Sequence, residues 1–178
     1  MRRLGALTFW IAGLHFFVGA SLANASLFQW MQGSWQGSGE RVFYATGQRV
    51  QIEAQVSSGV VSEVLISQND IRETIVLEDG TLGATREYRR VYWIREKGDP
   101  TTGVYELGYG EDTSIPPAST GRLDGNSLEV EQKMGDAFLI RSRTEFLPDE
   151  TVYTETTTLE GKAHSQTTIR YRRRPIGT

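Results

Sequence analysis

Gln48-Arg49-Val50-Gln51-Ile52-Glu53-Ala54-Gln55-Val56-Ser57 decides the fold class. Val50, Ile52, Ala54 and Val56 fall on one side of this stretch, and Gln51, Glu53 and Gln55 fall on the other. That period of two belongs to an extended strand with one buried and one wet face. Helical geometry would scatter the same apolar residues around the whole surface.

The pattern recurs in both directions. Alternating runs cover residues 34–44, 60–67, 71–78, 84–96, 102–111, 127–133, 137–147, 151–159 and 163–174. Turn-forming residues separate them, among them Thr46-Gly47, Ser58-Gly59, Gln68-Asn69-Asp70, Asp79-Gly80, Asp124-Gly125-Asn126 and Gly161. Residues 112–120, with Pro116-Pro117, form the longest irregular stretch. The spacing predicts nine to ten antiparallel strands. No alternation of strands with helices points to a parallel sheet, and no internal repeat points to a propeller. The expected fold is all-β, an up-and-down antiparallel barrel, because closure removes the exposed edges of so many strands. A two-sheet sandwich is the competing arrangement.

Two segments precede the strands. Residues 1–25 read as a secretory signal peptide. Arg2 and Arg3 give a basic start, residues 4–22 are largely apolar, and Ala23-Asn24-Ala25 supplies small residues at a cleavage site. Residues 26–178 then form a single domain, exported to the periplasm or outside the cell. Leu27, Phe28, Trp30 and Met31 suggest a short helical turn at its start. No stable membrane insertion is expected once the leader is removed.

Composition narrows the chemistry. Losing Arg2 and Arg3 from 19 basic residues leaves 17 against 22 acidic ones, a net charge of −5. An acidic chain is poorly suited to nucleic acid. The absence of Cys excludes thiolate catalysis and Cys-ligated metals. His164 is the one His after the leader, so a multi-His metal site is excluded too. No phosphate-binding glycine loop or calcium loop is present, and nothing marks a catalytic site.

Gly33-Ser34-Trp35 opens the first predicted strand, followed by Gly37 and Gly39. This opening resembles the calycin superfamily, the lipocalins and fatty-acid-binding proteins. The run from Gly33 to Gly39 is also similar to the start of nitrobindin-like and related haem-binding-type barrels. The resemblance implies a calycin-like barrel with Trp35 plugging one end. It implies an Arg of the last strand stacked over that Trp, either Arg170 or Arg172. It also leaves His164 as the one candidate for an axial haem ligand. Read from its own neighbourhood, His164 is a polar residue just after a turn, and no cofactor is expected.

Several residues are candidates for contact with a small apolar or amphipathic ligand. Tyr88 and Tyr92 share a strand face, as do Tyr105 and Tyr109 on the next strand, and these rings could line a cavity. Arg141 and Arg143 share a face, and Arg170 lies on the last strand. The resemblance to fatty-acid-binding proteins would give such Arg residues a ligand carboxylate. Phe138, Ile140 and Phe146 on the opposite face argue that Arg141 and Arg143 point outward. The expected function is therefore ligand binding inside an exported barrel. The alternative is a barrel filled by its own side chains, acting as a structural or interaction protein of the cell envelope.

Overall fold

The computed structural model describes residues 27–174; residues 1–25, expected from the sequence to be a signal peptide, lie outside the described residues. One short helix, α1 (Leu27–Met31), precedes ten strands. They are β1 (Gly33–Phe43), β2 (Arg49–Val61), β3 (Val64–Val76), β4 (Leu82–Glu96), β5 (Val104–Tyr109), β6 (Ser119–Asp124), β7 (Ser127–Met134), β8 (Phe138–Phe146), β9 (Glu150–Leu159) and β10 (Lys162–Arg173). Each strand pairs antiparallel with its sequence neighbours, and β1 pairs with β10 to close an up-and-down barrel. No helix among the described residues is long and apolar enough to cross a membrane.

The predicted strand total was reached through two errors that cancel. The alternation predicts separate strands at residues 60–67 and 71–78, yet residues 64–67 and 71–76 belong to one strand, β3, which runs through Gln68-Asn69-Asp70. Those turn-type residues are paired across to Ser57, Val56 and Gln55 of β2. Asp70 also meets Arg89 at 2.6 Å, so tertiary pairing overrides local preference. The omitted strand is β6, six residues beginning inside the stretch read as a loop.

The β2–β3 turn was also misplaced. It falls not at Ser58-Gly59 but at Ser62-Glu63, where both residues have positive φ, 49° and 66°. Two left-handed residues are what a tight hairpin requires, usually from Asn-Gly. Ser-Glu carries no such signal, and the left-handed conformation costs a non-glycine residue roughly 1 kcal/mol.

Five residues cannot hold a helix in isolation. α1 persists because it caps one end of the barrel. Leu27 is fully buried in a cluster with Leu65, Ile94, Tyr105, Leu128 and Phe146, with Phe28, Trp30 and Met31 packed against it. Trp30 stacks on Phe146 at 5.9 Å between ring centres. A second cluster of Val50, Ile52 and Ile169 lies in the wall formed by β1, β2 and β10. The end opposite α1 is bounded by the turns 44–48, 77–81, 110–118, 135–137 and 160–161.

Candidate functional site

The barrel is hollow. A cavity of about 730 Å³ runs from beneath α1 toward the opposite end. That volume lies in the range of small-molecule sites. A barrel filled by its own side chains, the alternative raised from the sequence, does not describe this interior.

Strand alternation decides what the cavity sees. Much of the wall is aliphatic or aromatic, including Ile52, Ile71, Val130, Phe138 and Ile140. Polar side chains enter from nearly every strand, among them Arg41 of β1, Asn69 and Glu73 of β3, Gln132 of β7 and Ser142 of β8. Tyr88, Arg90 and Tyr92 of β4 point inward together, as do Tyr153 and Glu155 of β9 and Tyr171 of β10.

Arg90 is the most informative of these. Its guanidinium stacks over the Tyr88 ring at 5.0 Å and forms no ion pair with any described residue. The hydroxyls of Tyr92 and Tyr171 likewise have no hydrogen-bond partner among the described residues. Burial raises the pKa of Tyr171; Tyr92, Tyr88 and the Glu155 carboxylate add to the shift, and Arg90 opposes it. These groups therefore share one electrostatic neighbourhood. On β9, beside Tyr171 of β10, the Tyr153 hydroxyl donates to Glu155 Oε2 at 2.6 Å. Burial and the Glu155 charge push the Tyr153 pKa well up, which keeps its proton available for that bond.

Tyr171 reaches the cavity because of Gly37. The two residues are cross-strand partners, and a Cβ on Gly37 would run into the Tyr171 ring. A Cβ on Gly39 would meet the backbone of Thr168 and Ile169. The glycines of the opening motif are thus a bed on which β10 lies closely.

Nearer the open end, Glu73 is almost fully buried and accepts three hydrogen bonds. They come from Arg41 at 3.0 Å, Arg86 at 2.6 Å and the Tyr88 hydroxyl at 2.7 Å. Burial by itself would raise the Glu73 pKa. The bonds from Tyr88 and Arg86, with the Arg41 and Arg86 charges, outweigh it and hold the carboxyl below its ordinary value. His164 lines the cavity at this end, edge-on to Phe43 and Phe138 at 5.7 and 5.8 Å. Among the described residues no cluster of acidic or His side chains could hold a metal.

The structure separates the sequence candidates into three groups. Trp35, Tyr88, Tyr92 and Tyr109 line the cavity. Tyr105 does not: only 2% exposed, it is core packing beneath α1. Arg141, Arg143 and Arg170 stand on the outer face. There Arg141 pairs with Glu131 at 2.9 Å, Arg143 with Glu129 at 3.6 Å and Arg170 with Glu150 at 2.9 Å. Their place in the alternation puts them outside, with Ile140, Ser142 and Thr144 turned in.

The cation over Trp35 is also neither of the two expected. Arg173, the direct cross-strand partner of Trp35, stacks at 4.8 Å and donates to Gln32 O at 3.2 Å. Arg170 and Arg172 fall on the opposite side of β10. Sequence reasoning missed Arg90, Tyr153, Glu155 and Tyr171. The signal for Arg90 was present, since it lies between Tyr88 and Tyr92 at the same period of two.

Neither a family model nor a curated protein matches the chain. Among solved structures, it is similar to an S-type phycobiliprotein lyase, CPES from Guillardia theta. The TM-score is 0.61 at 13% identity, over 84% of this chain and 92% of that one. The likeness is one of fold.

Proposed function

We propose that this protein is an exported, calycin-type carrier that holds a small amphipathic molecule with an anionic head. The carrying observation is Arg90, a guanidinium without an ion-pair partner among the described residues, turned into an otherwise largely apolar cavity. Arg90 is solvent-exposed, and a bound carboxylate or similar anion supplies the counter-ion it lacks. Arg suits the role because its fork can bond both oxygens of a carboxylate. The ligand head lies at Arg90 with the Tyr92 and Tyr171 hydroxyls as further donors. Its body lies along Ile52, Ile71, Val130 and Ile140.

The calycin assignment draws support from Trp35 under Arg173 and from the barrel likeness to a phycobiliprotein lyase. Export rests on the leader read in residues 1–25. No residue set in the cavity specifies a reaction, so the reading is binding rather than catalysis.

The test is native mass spectrometry of the protein purified from its own host, followed by titration with a dansyl-tagged undecanoic acid. An anionic amphiphile should co-purify. Arg90→Ala should weaken the probe at least about tenfold, since bonds to a charged group contribute roughly 1.5–3 kcal/mol. Arg141→Ala should leave it unchanged. A protein that binds neither a host molecule nor the probe would sink the proposal.

A further inference from the structure

Four Arg or Glu side chains line the cavity: Arg41, Glu73, Arg90 and Glu155. Arg41 and Glu73 pair with one another at 3.0 Å. Arg90 and Glu155 form no ion pair, either together or with any other described residue. They also stand on opposite strands. Arg90 belongs to β4 and Glu155 to β9, and four strands separate these two in either direction round the barrel. Register turns Glu155 inward, since its cross-strand partners Ser142 and Thr167 line the cavity as well. Tyr171 lies within the field of both Arg90 and Glu155. Between the two poles, Ile52 and Ile71 line one side of the cavity and Val130 and Ile140 the other.

We infer that the ligand is bipolar: besides the anionic group that meets Arg90, it presents a protonated amine or other N–H donor to Glu155. The inference rests on the carrier reading and narrows its ligand class. A molecule seated between β4 and β9 displaces water from the Glu155 carboxylate. Oε2 keeps the bond from Tyr153 at 2.6 Å, while Oε1 accepts from no described residue. A plain hydrocarbon body would leave that oxygen dehydrated and unbonded, which is costly for a carboxylate. An ammonium or N–H group restores the bond and answers the charge. Tyr153 fixes the carboxylate by donating to it. Glu155 is thereby a specificity-determining residue that favours two-headed ligands over single-headed fatty acids.

Displacement of the dansyl-tagged undecanoic acid from the purified protein tests this. Alkanoic acids of eight, ten and twelve carbons would be compared with the ω-amino acids of the same lengths, because chain length samples the span between the poles. In a cavity that reads only the acid, a terminal ammonium weakens binding at every length, since it must be dehydrated. The expected result is the reverse. At one length or more, the amino acid should displace the probe at least about tenfold better than its alkanoic counterpart. Glu155→Gln keeps the side-chain shape and an oxygen for Tyr153, and should abolish that preference. Arg90→Ala should weaken both members of each pair alike.

Alkanoic acids that displace the probe better at all three lengths would overturn the inference. So would a preference that Glu155→Gln leaves intact. Should that variant fail to fold, the comparison in the unaltered protein still decides. Failure of the carrier reading looks different. Dodecylamine binding that Glu155→Gln weakens, with no effect of Arg90→Ala on any ligand, removes the anionic head and leaves the Glu155 site. Binding that depends on Arg90 but shows no amino preference removes the Glu155 site alone. A protein that binds none of these molecules removes both.

Discussion

Arg41 on β1 reaches over β2 to Glu73 on β3, Nη1 to Oε1 at 3.0 Å, and binds both strands to their neighbours. Its Nε donates to Thr167 of β10 at 2.9 Å, while Glu73 accepts from Arg86 and Tyr88 of β4. One carboxylate thus fastens the inner wall across β1, β3, β4 and β10.

Glu73→Ala should therefore be strongly destabilising. It leaves Arg41, 18% exposed, without its counter-ion, though the more exposed Arg86 can turn to water. Loss of about 2–3 kcal/mol is expected, somewhat below the usual figure for a fully buried pair. Urea unfolding checks this. Replacing both members, Arg41→Met with Glu73→Met, should recover much of the loss, because no orphaned charge remains.

The same carboxyl predicts acid sensitivity. Its folded pKa is held below the unfolded value by Tyr88, Arg86 and Arg41 acting against burial. A depressed acid contributes stability above the unfolded pKa, and the contribution is lost as pH falls through the folded value. The gap between the unfolding free energies of the unaltered protein and Glu73→Gln, measured from pH 7 down to pH 3, should narrow as pH falls through and below the ordinary carboxylate range of about 4–5. The unaltered protein should lose more stability there than Glu73→Gln. Parallel curves would show that Glu73 carries no such linkage.

Gly37 and Gly59 offer a matched comparison. A Cβ at Gly37 collides with the Tyr171 ring, whereas one at Gly59 meets nothing within 4 Å. Gly37→Ala should cost about 1–3 kcal/mol through overpacking and shift Tyr171 in the cavity. Gly59→Ala should be neutral or slightly stabilising. Thermal denaturation of the two variants, with fluorescence of the bound dansyl probe, reads both effects.

The Ser62-Glu63 turn can be improved. Replacing the pair by Asn-Gly relieves two left-handed non-glycine residues in a tight hairpin. A gain of about 1 kcal/mol is expected from the difference in left-handed preference. A decrease in unfolding midpoint would contradict the turn geometry.

Arg173→Ala should cost about 1 kcal/mol, through the lost stacking on Trp35 and the lost bond to Gln32 O. Arg170→Ala should change stability by no more than about 0.5 kcal/mol, because its pair with Glu150 is solvent-exposed on the Arg side. Denaturant midpoints of the two variants distinguish the inner cation from the outer one.

The sequence by itself determined the class of fold and much of which side faces in. Val50, Ile52 and Ala54 alternate with polar residues so regularly that only an extended strand buries them together. The same reasoning placed Tyr88 and Tyr92 on one face and turned Arg141 and Arg143 outward. Period-two alternation is local, so a linear reading recovers it. Strand ends were less accessible, because Gln68-Asn69-Asp70 stays extended through pairing with β2 and β4, which no local propensity records. Register was decided only by closure: β1 meets β10 so that Arg173, rather than Arg170 or Arg172, lies opposite Trp35. The hollow interior also belongs to the tertiary structure. Tyr105 and Tyr109 share a face, yet α1 covers the first, and the second lines the cavity. Whether an inward side chain fills space or borders it depends on what stands across the barrel, and that distance is set when ten strands close, not by any stretch of sequence.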